Sequence, residues 1–231
     1  MIRVDSGTVN VFVEWNMSKK ALIVWGGWDG HKPKECARLF ETLLKAEGFS
    51  VEVSDSLDSF LDKDKLAGLS LIVPMWTMGE ITGEQFAGLS AAVNSGVGLG
   101  GVHGGMGDSF RNNSDYQMMV GGQFVGHPGN VVSHIVHITD RTDPITAGMN
   151  DFRLETERYY MHVDPSNVVL ATLTFAGHEV PGGGQLVMPT VWKRMYGQGR
   201  VFYASWGHDP KDFEGVEAKE IVRRGLLWAA K

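Results

Sequence analysis

The chain has 231 residues, a formal charge of -6, 43% hydrophobic residues, 30 glycines and a single cysteine. That length and apolar content suffice for a packed α/β core without disulfides or a structural metal, and they exclude collagen-like and disordered readings. One cysteine excludes a disulfide framework and a Cys-rich zinc module, and mild acidity with scattered basic residues argues against a nucleic-acid partner.

In chain order, residues 8–15 alternate polar and apolar as a half-buried strand does, and 1–20 read as an extra N-terminal strand segment. Residues 21–25 are a short apolar run, the pattern of a parallel strand covered on both faces. A glycine-rich loop, Gly26-Gly27-Trp28-Asp29-Gly30-His31, follows it. Pro33 opens a helix to about Glu47 with Leu39, Phe40, Leu43 and Leu44 as its apolar stripe. Gly48 ends that helix, and a strand at 49–53 completes a βαβ unit. A buried strand at 69–74, a helix at 82–94 and a strand at 96–102 continue the alternation, with Thr82 and Gln85 spaced as a capping box. A helix over about 107–119 comes next. The second half reads as strands at 131–139, 168–173, 186–192 and 199–205, closed by an amphipathic helix over 213–230. Nothing resembles a linker, so residues 1–231 read as a single α/β domain with a mainly parallel sheet and extra strands in its second half.

No apolar run is long enough to span a bilayer, and the N-terminus, Met1-Ile2-Arg3-Val4-Asp5, lacks the continuous apolar stretch of a secretory leader. A cytoplasmic protein with no membrane partner is expected.

Ligands of parallel sheets bind beyond the carboxyl ends of the strands. That rule selects loops 26–31, 74–80 and 101–107, which carry Trp28, His31, Trp76 and His103. Gly101-Val102-His103-Gly104-Gly105 has the layout of a nucleophile elbow, with histidine where serine or cysteine would stand. An imidazole above a helix N-terminus is favoured as the neutral form, which suits a base, an electrophile or a metal ligand. The competing reading is a glycine-rich turn whose histidine merely caps a helix.

His31 belongs on the same rim as His103. His127 sits in the irregular Gly126-His127-Pro128-Gly129, His162 in the polar-aromatic stretch 157–162, and His208 directly after a strand. His134 and His137 lie three apart on a strand and so face opposite sides, and His178 reads as solvated. No spacing is a zinc signature. A divalent ion such as zinc, held from separate loops by His31, His103 and His127, with Glu157 and His208 as further donors, stays open as an alternative. Trp28, Trp76 and Trp206 flank the histidines, where an aromatic face can stack on a sugar ring; packing is the other reading for each. Trp15 and Trp228 read as packing residues.

Several of these stretches together resemble the ThuA-like, trehalose-utilisation family. They are residues 25–31, Met75-Trp76-Thr77-Met78-Gly79, Gly101-Val102-His103-Gly104-Gly105, 157–165, Met188-Pro189-Thr190-Val191-Trp192 and Gly199-Arg200-Val201-Phe202-Tyr203, followed by Gly207-His208. The resemblance covers about residue 21 to the C-terminus. It implies a class I glutamine amidotransferase-like, flavodoxin-like three-layer fold, and an enzyme hydrolysing or eliminating a disaccharide or 3-keto-glycoside. His103, Glu157, His208 and His31 would then supply the acid–base chemistry. Trp28, Trp76, Tyr160, His162 and Trp192 would position a small sugar. The strand at 8–15 carries none of these landmarks and reads either as an added edge strand or as the contact for a second subunit of a homo-oligomer. The alternatives are a non-catalytic sugar-binding or regulatory domain, and an amidotransferase, whose nucleophile could only be Cys36 in the first helix.

Overall fold

The protein is described from a computed structural model covering residues 19–180 and 183–231. The strand expected at 8–15 lies outside the described residues. Strand β1 (Lys20–Gly27) is buried on both faces, as its apolar run requires. Helix α1 (Pro33–Ala46) starts with Pro33 in its first turn and buries Cys36, Ala37, Phe40 and Leu44 at three- and four-residue spacing. Strand β2 (Ser50–Ser54), the short helix α2 (Lys63–Ala67) and strand β3 (Leu71–Thr77) follow. Helix α3 (Gly83–Asn94) carries the expected capping box: Gln85 N donates to Thr82 Oγ1 at 3.2 Å and Thr82 N to Gln85 Oε1 at 3.0 Å. After β4 (Gly98–Val102) the single helix expected over 107–119 is two, α4 (His103–Gly107) and α5 (Ser114–Val120). Between them Phe110 adopts a left-handed φ of 50°, which no continuing helix tolerates, and Asn113 caps the second helix.

The second half adds β5 (Gly122–Gly126), β6 (Val131–Ile138), β7 (Phe152–Glu157), β8 (Tyr160–Val163), β9 (Val168–Phe175), β10 (Leu186–Tyr196), β11 (Gly199–Ala204) and helix α6 (Val216–Ala229). One nine-stranded sheet has the order β2-β1-β3-β4-β11-β10-β9-β6-β7, and β5 pairs with β8 in a separate ribbon. The first five strands of that order are parallel and the remaining pairings antiparallel. This is the mainly parallel sheet with additional strands that the sequence implies.

Alternation along each strand splits the core between two faces. Ala21 and Ile23 of β1 pack with Phe40 and Leu44 of α1 and with Ile221, Val222 and Leu226 of α6. Leu22 and Val24 pack on the other face with Leu89 and Val93 of α3 and Met119 of α5. Truncating any such buried leucine or isoleucine to alanine costs about 2–5 kcal/mol. Helices thus cover both faces, leaving the carboxyl ends of the parallel strands as the open rim.

Candidate active site at the carboxyl ends of the parallel strands

Strand β4 delivers the chain to His103, whose φ of 45° is left-handed and begins α4. The elbow closes tightly: a Cβ on Gly101 would stand 2.7 Å from Cβ of Met106. His103 is 1% exposed. Its Nδ1 donates to the carbonyl of Ser205 at 2.8 Å, its Nε2 faces Glu157 Oε2 at 3.2 Å, and its ring stacks on Tyr159 with 4.0 Å between centroids.

Three further groups meet there. His31, on a single 3-10 turn after β1, is buried, and its Nδ1 pairs with Thr77 Oγ1 of β3 at 2.8 Å. Its Nε2 lies 3.9 Å from Glu157 Oε2 and its ring 4.6 Å from that of His103. His208 follows β11 and presents Nδ1 at 3.4 Å from the same oxygen, off the line of a directed hydrogen bond and with no other partner among the described residues. Asp212 fixes that loop. It accepts from the backbone of His208 at 2.9 Å and from Thr156 Oγ1 at 2.6 Å, tying the loop to the strand that carries Glu157. His127 stands further out, half-exposed, 3.9 Å from the other Glu157 oxygen.

These neighbours set the charges. Burial above all, with the adjacent His103 and His208, pushes His31 down to about 3, so it is neutral near pH 7. Burial works against the Glu157 carboxylate, but its contacts with His103 and His208 outweigh that and hold it below the usual carboxylate range. Contact with Glu157 in turn raises His208. The cluster is one carboxylate ringed by imidazoles of unequal basicity, suited to passing protons or holding a cation.

The remaining expectations divide. Trp28 is 47% exposed and lies edge-on to His31 at 4.8 Å, an open aromatic face beside the cluster. Trp76 belongs to β3 rather than to a loop, and its ring fills the space over Gly26 and Gly79. Tyr160 sits on β8 against Phe175. His162 is exposed in a shallow depression with Gln117 and Asp164, and the cluster residues do not line it. Trp192 is fully buried; its Nε1 donates to the carbonyl of Val120 and its ring packs on Tyr203, so it belongs to the core and not to a sugar-binding surface. Trp206 is likewise buried, donating to the carbonyl of Ala218.

Sequence reasoning missed Tyr159, Thr77, Ser205 and Asp212. Only Tyr159 carried a signal: it lies two residues from Glu157 and so shares its face in extended chain, whereas Tyr160 points away. Cys36 is buried, its thiol donates to the carbonyl of His31 at 3.6 Å, and burial pushes it up to about 12. A thiol so held is no nucleophile near pH 7. A groove of about 650 Å³ between α1 and α6 is lined by Arg38, Leu39, Leu43 and Arg223 and includes none of the cluster. The ionisable groups converge at the rim and not in that groove.

Residues 20–229 match the family model for ThuA, described as trehalose utilisation. The fold is similar to that of a protein described as ThuA-like from Bacteroides uniformis, at 18% identity, 91% coverage of each chain and a TM-score of 0.75. A second protein so described, from Parabacteroides merdae, has 18% identity over 93% of this chain and 90% of its own, with a TM-score of 0.72. A β-galactosidase from a Rahnella species is similar at 18% identity over 92% of this chain and 30% of that one, with a TM-score of 0.55. At these identities the structural likeness speaks for the fold alone. No curated protein matches the chain.

Proposed function

The chain belongs to the ThuA, trehalose-utilisation family, and from that premise we propose that it is a carbohydrate-processing enzyme opening the glycosidic bond of a disaccharide or 3-keto-glycoside. The observation carrying this reading is the meeting of His31, His103, His208 and Glu157 at the open ends of the parallel strands. Their ligand atoms all lie within 4.8 Å of one another.

A ketone at C3 acidifies the neighbouring C2–H. A base takes that proton, the C–H electron pair becomes the C1=C2 double bond, and the C1–O bond breaks. The departing oxygen receives a proton, and water added later across the double bond completes a net hydrolysis. Glu157, unprotonated in this site, suits the accepting role, and His208, raised by its carboxylate neighbour, suits the donating one. Trp28 offers the aromatic face on which a sugar ring would stack.

The test is incubation of the full chain with 3-keto-trehalose and with trehalose, scoring released glucose. Turnover of the keto sugar that falls about 10²-fold or more in Glu157→Gln supports the reading. Binding without glucose release would instead mark a sugar-binding domain that kept the fold and lost the chemistry.

A further inference from the structure

We propose that His31, His103, His208 and Glu157 are the ligands of one divalent first-row transition-metal ion. This concerns the same cluster but does not depend on the identity of the sugar.

The orientation of the ring nitrogens is the central observation. The Ser205 carbonyl can only accept, so Nδ1 of His103 carries the proton of the neutral ring. Its Nε2 is then a bare lone pair aimed at a carboxylate oxygen 3.2 Å away. His31 has a similar layout, with Nδ1 2.8 Å from Thr77 Oγ1, a hydroxyl that can donate or accept, and Nε2 turned toward the same oxygen. His208 turns an otherwise unpartnered, buried Nδ1 to it as well. In the neutral ring the His103 nitrogen and the carboxylate both accept, and the nitrogens that His31 and His208 turn to the same oxygen are able to accept as well, so a cation among them would satisfy all four.

The spacing suits a metal ion. Bonds of 2.0–2.1 Å to nitrogen and oxygen place tetrahedral ligands about 3.4 Å apart. Glu157 Oε2 lies 3.2, 3.4 and 3.9 Å from His103, His208 and His31. With all four donors within 4.8 Å of one another, the space between them admits a single ion and no organic ligand. Three nitrogens to one carboxylate favour zinc, nickel, cobalt or iron(II) over calcium and magnesium, which take oxygen-rich shells. The contacts of His103 to Ser205 and of His31 to Thr77 are the outer hydrogen bonds that orient metal-bound histidines.

Of the donors left open by the sequence, His31, His103, Glu157 and His208 form this set, and His127 stands outside the four-donor group, toward solvent. With an ion in place the four side chains would serve as ligands, a sugar oxygen could be polarised only at a fifth position on the ion, and His127 would be the nearby histidine left to carry a proton.

The experiment uses tag-free full chain stripped with a chelator, then exposed separately to zinc and cobalt(II) salts. Retained metal is counted after gel filtration, affinity is measured by calorimetry, and the visible spectrum of the cobalt form is recorded. One equivalent per chain, nitrogen-rich cobalt bands, and affinity lowered tenfold or more in both Glu157→Gln and His103→Ala are expected, with His127→Ala within about threefold of the unaltered protein. No stoichiometric retention, or unaltered affinity in both ligand variants with circular dichroism showing them folded, would overturn the proposal. Metal binding without sugar turnover keeps this inference and removes the reading of the preceding section; turnover by a chain that retains no metal does the reverse.

Discussion

Nε2 of His103 and Oε2 of Glu157 stand 3.2 Å apart although their strands, β4 and β7, are separated by four others in the sheet. On a flat sheet those five steps would span about 24 Å. The antiparallel extension therefore curls until its edge strand returns over the carboxyl ends of the parallel block. The site lies on the seam, with His31, His103 and His208 supplied from one side and Glu157 from the other.

The first consequence concerns Gly104, one residue past the elbow. A Cβ there would stand 2.5 Å from Cε1 of His31 and 2.9 Å from Oη of Tyr159. Gly104→Ala favours helix α4 by about 1 kcal/mol in intrinsic propensity but drives the His31 ring from its place. We expect a melting temperature within a few degrees of the unaltered protein and a loss of tenfold or more in metal affinity. Calorimetric titration of the variant checks this; unchanged binding would show that His31 is not held where it must be.

Acid should weaken the metal-free protein through the same groups. His31 is held down to about 3 against an ordinary 6.5, so between those values the unfolded chain binds the extra proton. Its stabilising contribution is full above pH 6.5 and declines as pH falls. Glu157, lowered from 4.5, adds a further loss below that value. His208 acts oppositely: raised, it contributes fully below pH 6.5 and loses its contribution as pH rises through its folded value. Urea midpoints of chelated protein should fall from pH 6.5 to 4.5, and more shallowly in His31→Gln. Equal slopes would contradict the assignment.

Cys36 offers a simple reactivity test. With its thiol pushed from 9.0 up to about 12, native protein at neutral pH holds roughly a thousandfold less thiolate than a free cysteine. Iodoacetamide should label it slowly in the folded chain and readily in urea. Cys36→Ala should retain sugar turnover within about threefold. Fast native labelling together with lost activity would revive the amidotransferase reading.

Two tryptophans should part company. Trp192→Ala removes a fully buried ring and its hydrogen bond to Val120, costing about 3–5 kcal/mol in a denaturant titration. Trp28→Ala removes a half-exposed ring and should change stability by no more than about 0.5 kcal/mol. Its effect should fall on KM for the sugar. A Trp28 variant with unchanged KM would remove this ring from the binding surface.

The elements most legible in the sequence were those with strong apolar patterns. The run at 21–25, the stripe of α1 and the Thr82–Gln85 box all have the structures that local physics assigns them. Strand β7 was not read, although Phe152, Leu154 and Thr156 are buried in alternation with exposed Arg153 and Glu155, the ordinary pattern of a half-buried strand. Its neighbour β8 has only four residues. The elbow at His103 was visible because glycine spacing encodes a left-handed turn locally. Glu157 was named with the histidines only as a further donor and through the family resemblance; that it meets them in space and His127 stands further out follows from the curl of the sheet, and no local pattern records curl. Trp192 was misplaced for a related reason: an isolated tryptophan on a strand reads alike whether its face is buried or open.

The four side chains of the cluster come from positions 31, 103, 157 and 208, so a ligand held by all of them closes loops through most of the chain. Loops of that length are entropically costly to close before other contacts repay the loss, and structures dominated by such separations form slowly. The cluster should therefore be among the last features to assemble during folding, once β7 has docked. An ion bound there would act as a reversible cross-link, its release rate tied to the opening of the seam.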